Sequence, residues 1–128
     1  MNASSPNLAL LLWSADLTQP QRVATPFVMA QAAVALDAQV ELYFTAQCVQ
    51  WLTLESANVW VGYGPERRSV GDYLQEAQAL GIRLYACSQA LHALGLSGAD
   101  LSKSCTGAGG AVQFMARTLD PQWRSLVF

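Results

Sequence analysis

Apolar positions fall along the chain in short continuous runs separated by longer stretches with helical spacing. Leu8–Ser14 is the first run, too short for an ordinary helix, and its unbroken apolarity predicts a strand covered on both faces. Asp16–Gln21 reads as a polar loop. Thr25 followed by Pro26 predicts a helix start, with a capping hydroxyl and then a proline in the first turn, and the alanine-rich helix runs to about Leu36. Gln39–Thr45 is the second strand, and Gln47–Leu54 a short helix. Residues 55–68 form the longest irregular stretch. Ser69-x-x-Asp72 then opens a helix on which Val70, Tyr73, Leu74, Ala77 and Leu80 share one face, with Gly81 as its stop.

Ile82–Ala86 is the third strand, followed at once by Cys87 and a short helix over Ser88–Leu94 that stops at Gly95. Gly98–Cys105 is ambiguous between loop and short strand. Gly107-Ala-Gly-Gly110 reads as a flexible turn opening a helix to about Leu119, and Ser125–Phe128 is a closing strand; residues 1–7 read as a frayed start. Apolar strands alternating with helices predict one α/β domain over 1–128. Its core is a mostly parallel sheet of about five strands with helices on both faces, a three-layer α/β/α sandwich.

Composition narrows what such a domain can do. The 128 residues are 52% hydrophobic and 12% charged, with a formal charge of −2. Ordinary domains carry roughly 25% charged residues, so a surface this short of charge predicts contact with further copies of the chain, a homo-oligomer. Disorder is excluded by the same numbers. A nucleic-acid partner is excluded by the lack of a basic footprint, there being one lysine, Lys103, and six scattered arginines. No apolar run approaches the roughly 20 residues of a membrane span. Cys48, Cys87 and Cys105 are an odd number without a CxxC, so neither a disulfide framework nor a zinc ribbon is expected. Reduced thiols and the lack of a signal-like start predict a cytoplasmic protein.

Open parallel sheets place their sites at the carboxyl ends of strands. That rule selects Asp16 after strand one, Thr45 to Cys48 after strand two, and Cys87 with Ser88 after strand three. Cys87 stands where a strand ends and a helix begins. There the first-turn amides are unpaired and the helix dipole is positive, which favours a thiolate, the species that attacks sulfur. Burial as an inert structural cysteine is the competing reading.

The segment Leu84-Tyr-Ala-Cys87-Ser-Gln-Ala-Leu-His-Ala-Leu-Gly95-Leu resembles the stretch around the sulfur-carrying cysteine of the DsrE/DsrF-like family. Leu8–Trp13, Pro20-Gln-Arg22 with the alanine-rich helix, Val40–Val49 and Trp123–Phe128 resemble further elements of that family in order and spacing. The resemblance implies a small α/β protein assembled as a homo-oligomer such as a trimer or hexamer, in which Cys87 accepts and passes on persulfide sulfur, a sulfurtransferase-like carrier working between donor and acceptor proteins. It implies no metal and no organic cofactor. Fold membership alone does not assign an activity. The alternatives are an oligomeric binding or scaffold protein with a structural Cys87, and a flavodoxin-like ligand binder without the usual phosphate loop.

The remaining candidates are weaker. Cys48 is a departure from the small residue usual in the family's second turn, and reads either as an auxiliary thiol for Cys87 or as apolar filler; Cys105 carries the same pair of readings. His92 lies five residues beyond Cys87, about 500° around a helix, so the two side chains point roughly 140° apart and form no catalytic pair. Gly107–Gly110 lacks the lysine and hydroxyl of a phosphate loop. Arg67 and Arg68, with Glu66, read either as a solvated loop or as positive charge for an anionic substrate or for Cys87. Trp51, Trp60, Tyr63 and Tyr73 suggest a subunit contact or a lid, with the core equally open to Tyr73.

Overall fold

A computed structural model describes residues 6–128. Five strands form one sheet in the order β6-β5-β2-β1-β7: β1 (Asn7–Leu12), β2 (Gln39–Phe44), β5 (Arg83–Ala86), β6 (Gly107–Ala108) and β7 (Trp123–Val127). Every pairing in this sheet is parallel. The expected sheet is therefore present and wholly parallel. The frayed start lies outside the described residues as far as residue 5, and Asn7 already belongs to β1, opposite Gln39 and Trp123.

The two faces differ in weight. Leu10, Leu42 and Leu84 stand side by side in register, as do Leu12, Phe44 and Ala86. They point to the face covered by α1 (Ala24–Ala35) and α2 (Val70–Ala79), where Phe27, Tyr73, Leu74 and Ala77 complete the main core. The alternate row, Ala9, Leu11, Tyr43 and Tyr85, points to the opposite face, which receives Phe114 from α4 (Ala111–Thr118). The short α3 (Ser88–Ala93) adds Leu91 to the main core.

Several boundaries moved for local reasons. Thr25 does not cap α1: Pro20 opens a 3-10 turn over Pro20–Arg22 that runs into the helix at Ala24, so Pro26 sits third in the helix, where its missing N–H still costs nothing. Ser69 is a true cap, its hydroxyl accepting from the Asp72 amide at 3.1 Å. The second short helix is a 3-10 segment, Ala46–Leu52. The irregular stretch contains a small antiparallel pair, β3 (Trp60–Val61) with β4 (Arg68–Ser69). Gly98–Cys105 holds a 3-10 turn and one bridge from Leu101 to Thr53 rather than a strand. Gly107-Ala-Gly-Gly is not a loose turn: its first half is edge strand β6 and its second half opens α4. The closing strand begins two residues early, at Trp123.

Strand β2 also carries a charge in its middle. Glu41 is 3% exposed and faces the α4 side, where Arg117 meets it with two hydrogen bonds of 3.0 Å. Tyr43 donates to Glu41 at 2.6 Å and accepts from Gln113 at 3.0 Å. The Arg117 guanidinium lies 4.2 Å from the Trp123 ring centroid. Burial and the neighbouring carboxylate push the Tyr43 phenol up to about 12. Replacing Arg117 by Ala strands a buried carboxylate. It should cost about 2–3 kcal/mol, below the ~3–5 of a fully enclosed pair because Arg117 is partly solvated. Glu41→Gln with Arg117→Met should recover much of that in urea denaturation; an Arg117→Ala loss below about 0.5 kcal/mol would show that the pair does not anchor α4.

Candidate functional site

β5 ends at Ala86, and the next residue turns out of the sheet. The Cys87 amide still donates to the Phe44 carbonyl at 2.9 Å, while its own carbonyl already accepts from Leu91 at 3.0 Å, making Cys87 the N-cap of α3. Ser88 is then the first helical residue. Across from Cys87 lies the Gly109-Gly110 step. The Gly109 amide donates to the Ala86 carbonyl at 3.0 Å, which draws the β6 end tight against β5. A Cβ on Gly109 would stand 2.9 Å from the Tyr85 Cβ, so no side chain fits there. A Cβ on Gly110 would come within 3.5 Å of the Cys87 sulfur and screen it. Gly110 is the N-cap of α4, so two helices start beside one sulfur.

Cys87 is 8% exposed, yet its sulfur makes no hydrogen bond among the described residues and borders two openings. One is a groove of about 540 Å³ that runs along Ser88, Gln89, Gly109, Gly110 and Gln113. The other is a hollow of about 300 Å³ on the α4 face, lined by Leu11, Tyr43, Phe114, Met115 and Val127 together with Thr45 and Gln89.

The other predicted residues gather elsewhere. Cys48 is buried and donates to the Ala15 carbonyl at 3.0 Å, an acceptor it shares with the Trp51 indole at 2.6 Å. Burial pushes its thiol up to about 11. Its hollow, about 170 Å³ with Arg22, Val23 and Phe128, is separate from those of Cys87. Asp16 lies on the loop after β1, its carboxylate accepting from the Thr18 amide at 2.9 Å and from the Thr18 hydroxyl, which hold it below the usual carboxylate range. Cys105 donates weakly to the Leu84 and Gly107 carbonyls, and burial raises it. His92 is exposed on the last turn of α3. Arg68 pairs with Glu76, and Arg67 lies over Trp60, so neither lines the Cys87 openings. Trp51 is a fully buried core residue, which corrects its expected place at a contact or lid; Tyr73 takes the core place that was equally open to it, and Trp60 and Tyr63 are exposed.

Ser88 and Thr45 thus stay with Cys87, and Cys48 and Asp16 do not border it. Sequence reasoning missed Gln89, Gln113, Phe114 and Met115. The glycine step was the available signal: two adjacent glycines before a helix mark a close approach of backbone to something. Among the described residues no three His, Cys, Asp or Glu side chains gather as a metal site, and no helix is long and apolar enough to cross a membrane.

A family model described as the DsrE/DsrF-like family matches residues 9–124. The fold is similar to that of a protein of unknown function, MTH1491, from Methanobacterium thermoautotrophicum, with a TM-score of 0.73 and 19% identity over 96% of this chain and 99% of that one. It is also similar to the ychN protein of E. coli, with a TM-score of 0.63 and 16% identity over 97% and 99%. No curated protein matches.

Iodoacetamide should label native Cys87 before Cys48 at pH 8. A thiol held near 11 is about a thousandth ionised there, and its labelling should climb steadily as pH rises toward 11. Peptide mass mapping that found Cys48 labelled as fast as Cys87 at pH 8 would contradict this assignment.

Proposed function

We propose that this chain, which belongs to the DsrE/DsrF-like family, is a cytoplasmic sulfur carrier that accepts persulfide sulfur on Cys87 and hands it to an acceptor protein. One observation carries the reading. Of the three thiols, Cys87 alone among the described residues has no hydrogen-bond partner and lies at a strand's carboxyl end against open space.

The step follows from thiol–disulfide exchange with one sulfur added. The Cys87 thiolate attacks the outer sulfur of a donor Cys-S-SH. A new S–S bond forms at Cys87 as the donor's S–S bond breaks, and the electron pair leaves on the donor sulfur as a thiolate, which takes up the proton given up by Cys87. No outside oxidant or reductant enters. An acceptor thiolate later repeats the exchange and regenerates Cys87. The starts of α3 and α4 put partial positive charge beside the sulfur while negative charge moves through it. Gly110 leaves the line of attack unobstructed, since a side chain there would screen the sulfur. Cys48 and Asp16 take no part in this step; Ser88 lines the approach.

A second reading, an oligomeric binding or scaffold protein with a structural Cys87, draws on the 8% exposure of that residue and on bare apolar side chains such as Val112 and Leu119. Intact-protein mass spectrometry after treatment with inorganic polysulfide separates the two. A sulfur carrier should gain the mass of one sulfur atom, releasable by dithiothreitol. Cys87→Ser should abolish the gain, while Cys48→Ser and Cys105→Ser keep it. Loss of the gain in the Cys48 or Cys105 variant with its retention in Cys87→Ser would overturn the assignment.

A further inference from the structure

The two openings at Cys87 differ in kind, and the difference points to what delivers the sulfur. The hollow on the α4 face is walled by Leu11, Tyr43, Phe44, Phe114, Met115 and Val127. None of its lining residues is charged. The nearest ion pair, Glu41 with Arg117, is closed on itself, and the Tyr43 hydroxyl is already engaged by Glu41 and Gln113. An ion entering this space meets no oppositely charged side chain in return for its water, only the neutral Thr45 and Gln89, whereas an apolar group loses nothing. The volume, about 300 Å³, is at the small end of ligand pockets; it takes one bulky side chain rather than a whole cofactor. The groove that shares the same sulfur is wider, about 540 Å³, and its lining includes a run of small residues, Ala108, Gly109, Gly110 and Ala111, along which a second backbone can approach between Gln89 and Gln113.

We propose that the donor is a protein persulfide with a bulky apolar residue next to its sulfur-bearing cysteine: the donor's main chain follows the groove and the apolar side chain fills the hollow. A small organic persulfide would occupy the hollow alone and leave the groove unused. The proposal rests on the reading of Cys87 as sulfur acceptor and adds the donor's recognition to it.

Three N-acetylated, C-amidated tripeptide persulfides test it, Gly-Cys(S-SH) followed by Phe, Glu or Lys, with inorganic polysulfide as a donor that has no side chain. The rate of sulfur gain at Cys87 in the full-length protein is read by mass spectrometry. The Phe peptide should charge Cys87 at least about tenfold faster than the Glu or Lys peptide, in the range one pocket contact discriminates. Met115 and Val127 are 46% and 58% exposed, so each tolerates a charge without unfolding the core. Met115→Lys, and separately Val127→Lys, should shift the preference from the Phe to the Glu peptide, read as the ratio of the two peptide rates within each variant. Equal rates for the three peptides, or a preference that survives both lysine variants, would overturn the pocket assignment and leave sulfur acceptance standing. Failure of all four donors to charge Cys87 would instead remove the sulfur-carrier reading itself.

Discussion

A buried carboxylate decides where α4 lies. Glu41 sits in the central strand β2 on a face with a single covering helix, and its desolvation is offset only by the bidentate approach of Arg117 and the hydroxyl of Tyr43. A few apolar contacts around Phe114 would let an eight-residue helix slide along the sheet. The directional bonds from Arg117 and Gln113 remove that freedom at two points along the helix, one turn apart. Polar networks of this kind add little net stability but fix a register. The register matters because the helix start, Gly110, is the wall beside the Cys87 sulfur.

The sulfur is therefore placed by two constraints from opposite sides. From the sheet, the amide of Cys87 is held by Phe44, so the residue cannot drift along the strand end. From the chain beyond, Gly109 must pass against Tyr85 with no room for a side chain. The price of this tight passage is the loss of side-chain packing at two positions. What it leaves is a nearly buried sulfur with an open approach. Cys48 shows the contrast: one residue type, but its sulfur is tied to a carbonyl and enclosed by the main core.

Much of this was legible in the sequence because the main-core side is written in apolar runs. Leu8–Leu12, Val40–Phe44 and Ile82–Ala86 are read directly as covered strands, and the Ser69 cap follows from local chemistry. Cys87 was legible as well, since a strand end meeting a helix start is a local event. What was hidden is tertiary. Glu41 inside an apolar strand gives no hint that Arg117, 76 positions later, completes it. Asp16 and Cys48 follow strand ends as Cys87 does, but they share the Ala15 neighbourhood, and only the arrangement of strands shows that this is a different hollow. The start of α1 was misplaced because Pro20 nucleates a 3-10 turn that propagates into the helix, a choice the Thr-Pro pair masked.

The order of strands has a consequence for how the chain acquires its shape. β7 is the last strand in sequence and lies beside β1, the first, giving it a partner on the side away from β2. As the polypeptide emerges during synthesis, β1 can pair with β2 early, but its other flank keeps unpaired amides and carbonyls until Trp123–Val127 has left the ribosome. For that interval the nascent protein carries a leucine-rich open edge, the feature that invites intermolecular pairing. Premature termination near Pro121 would make that transient hazard permanent.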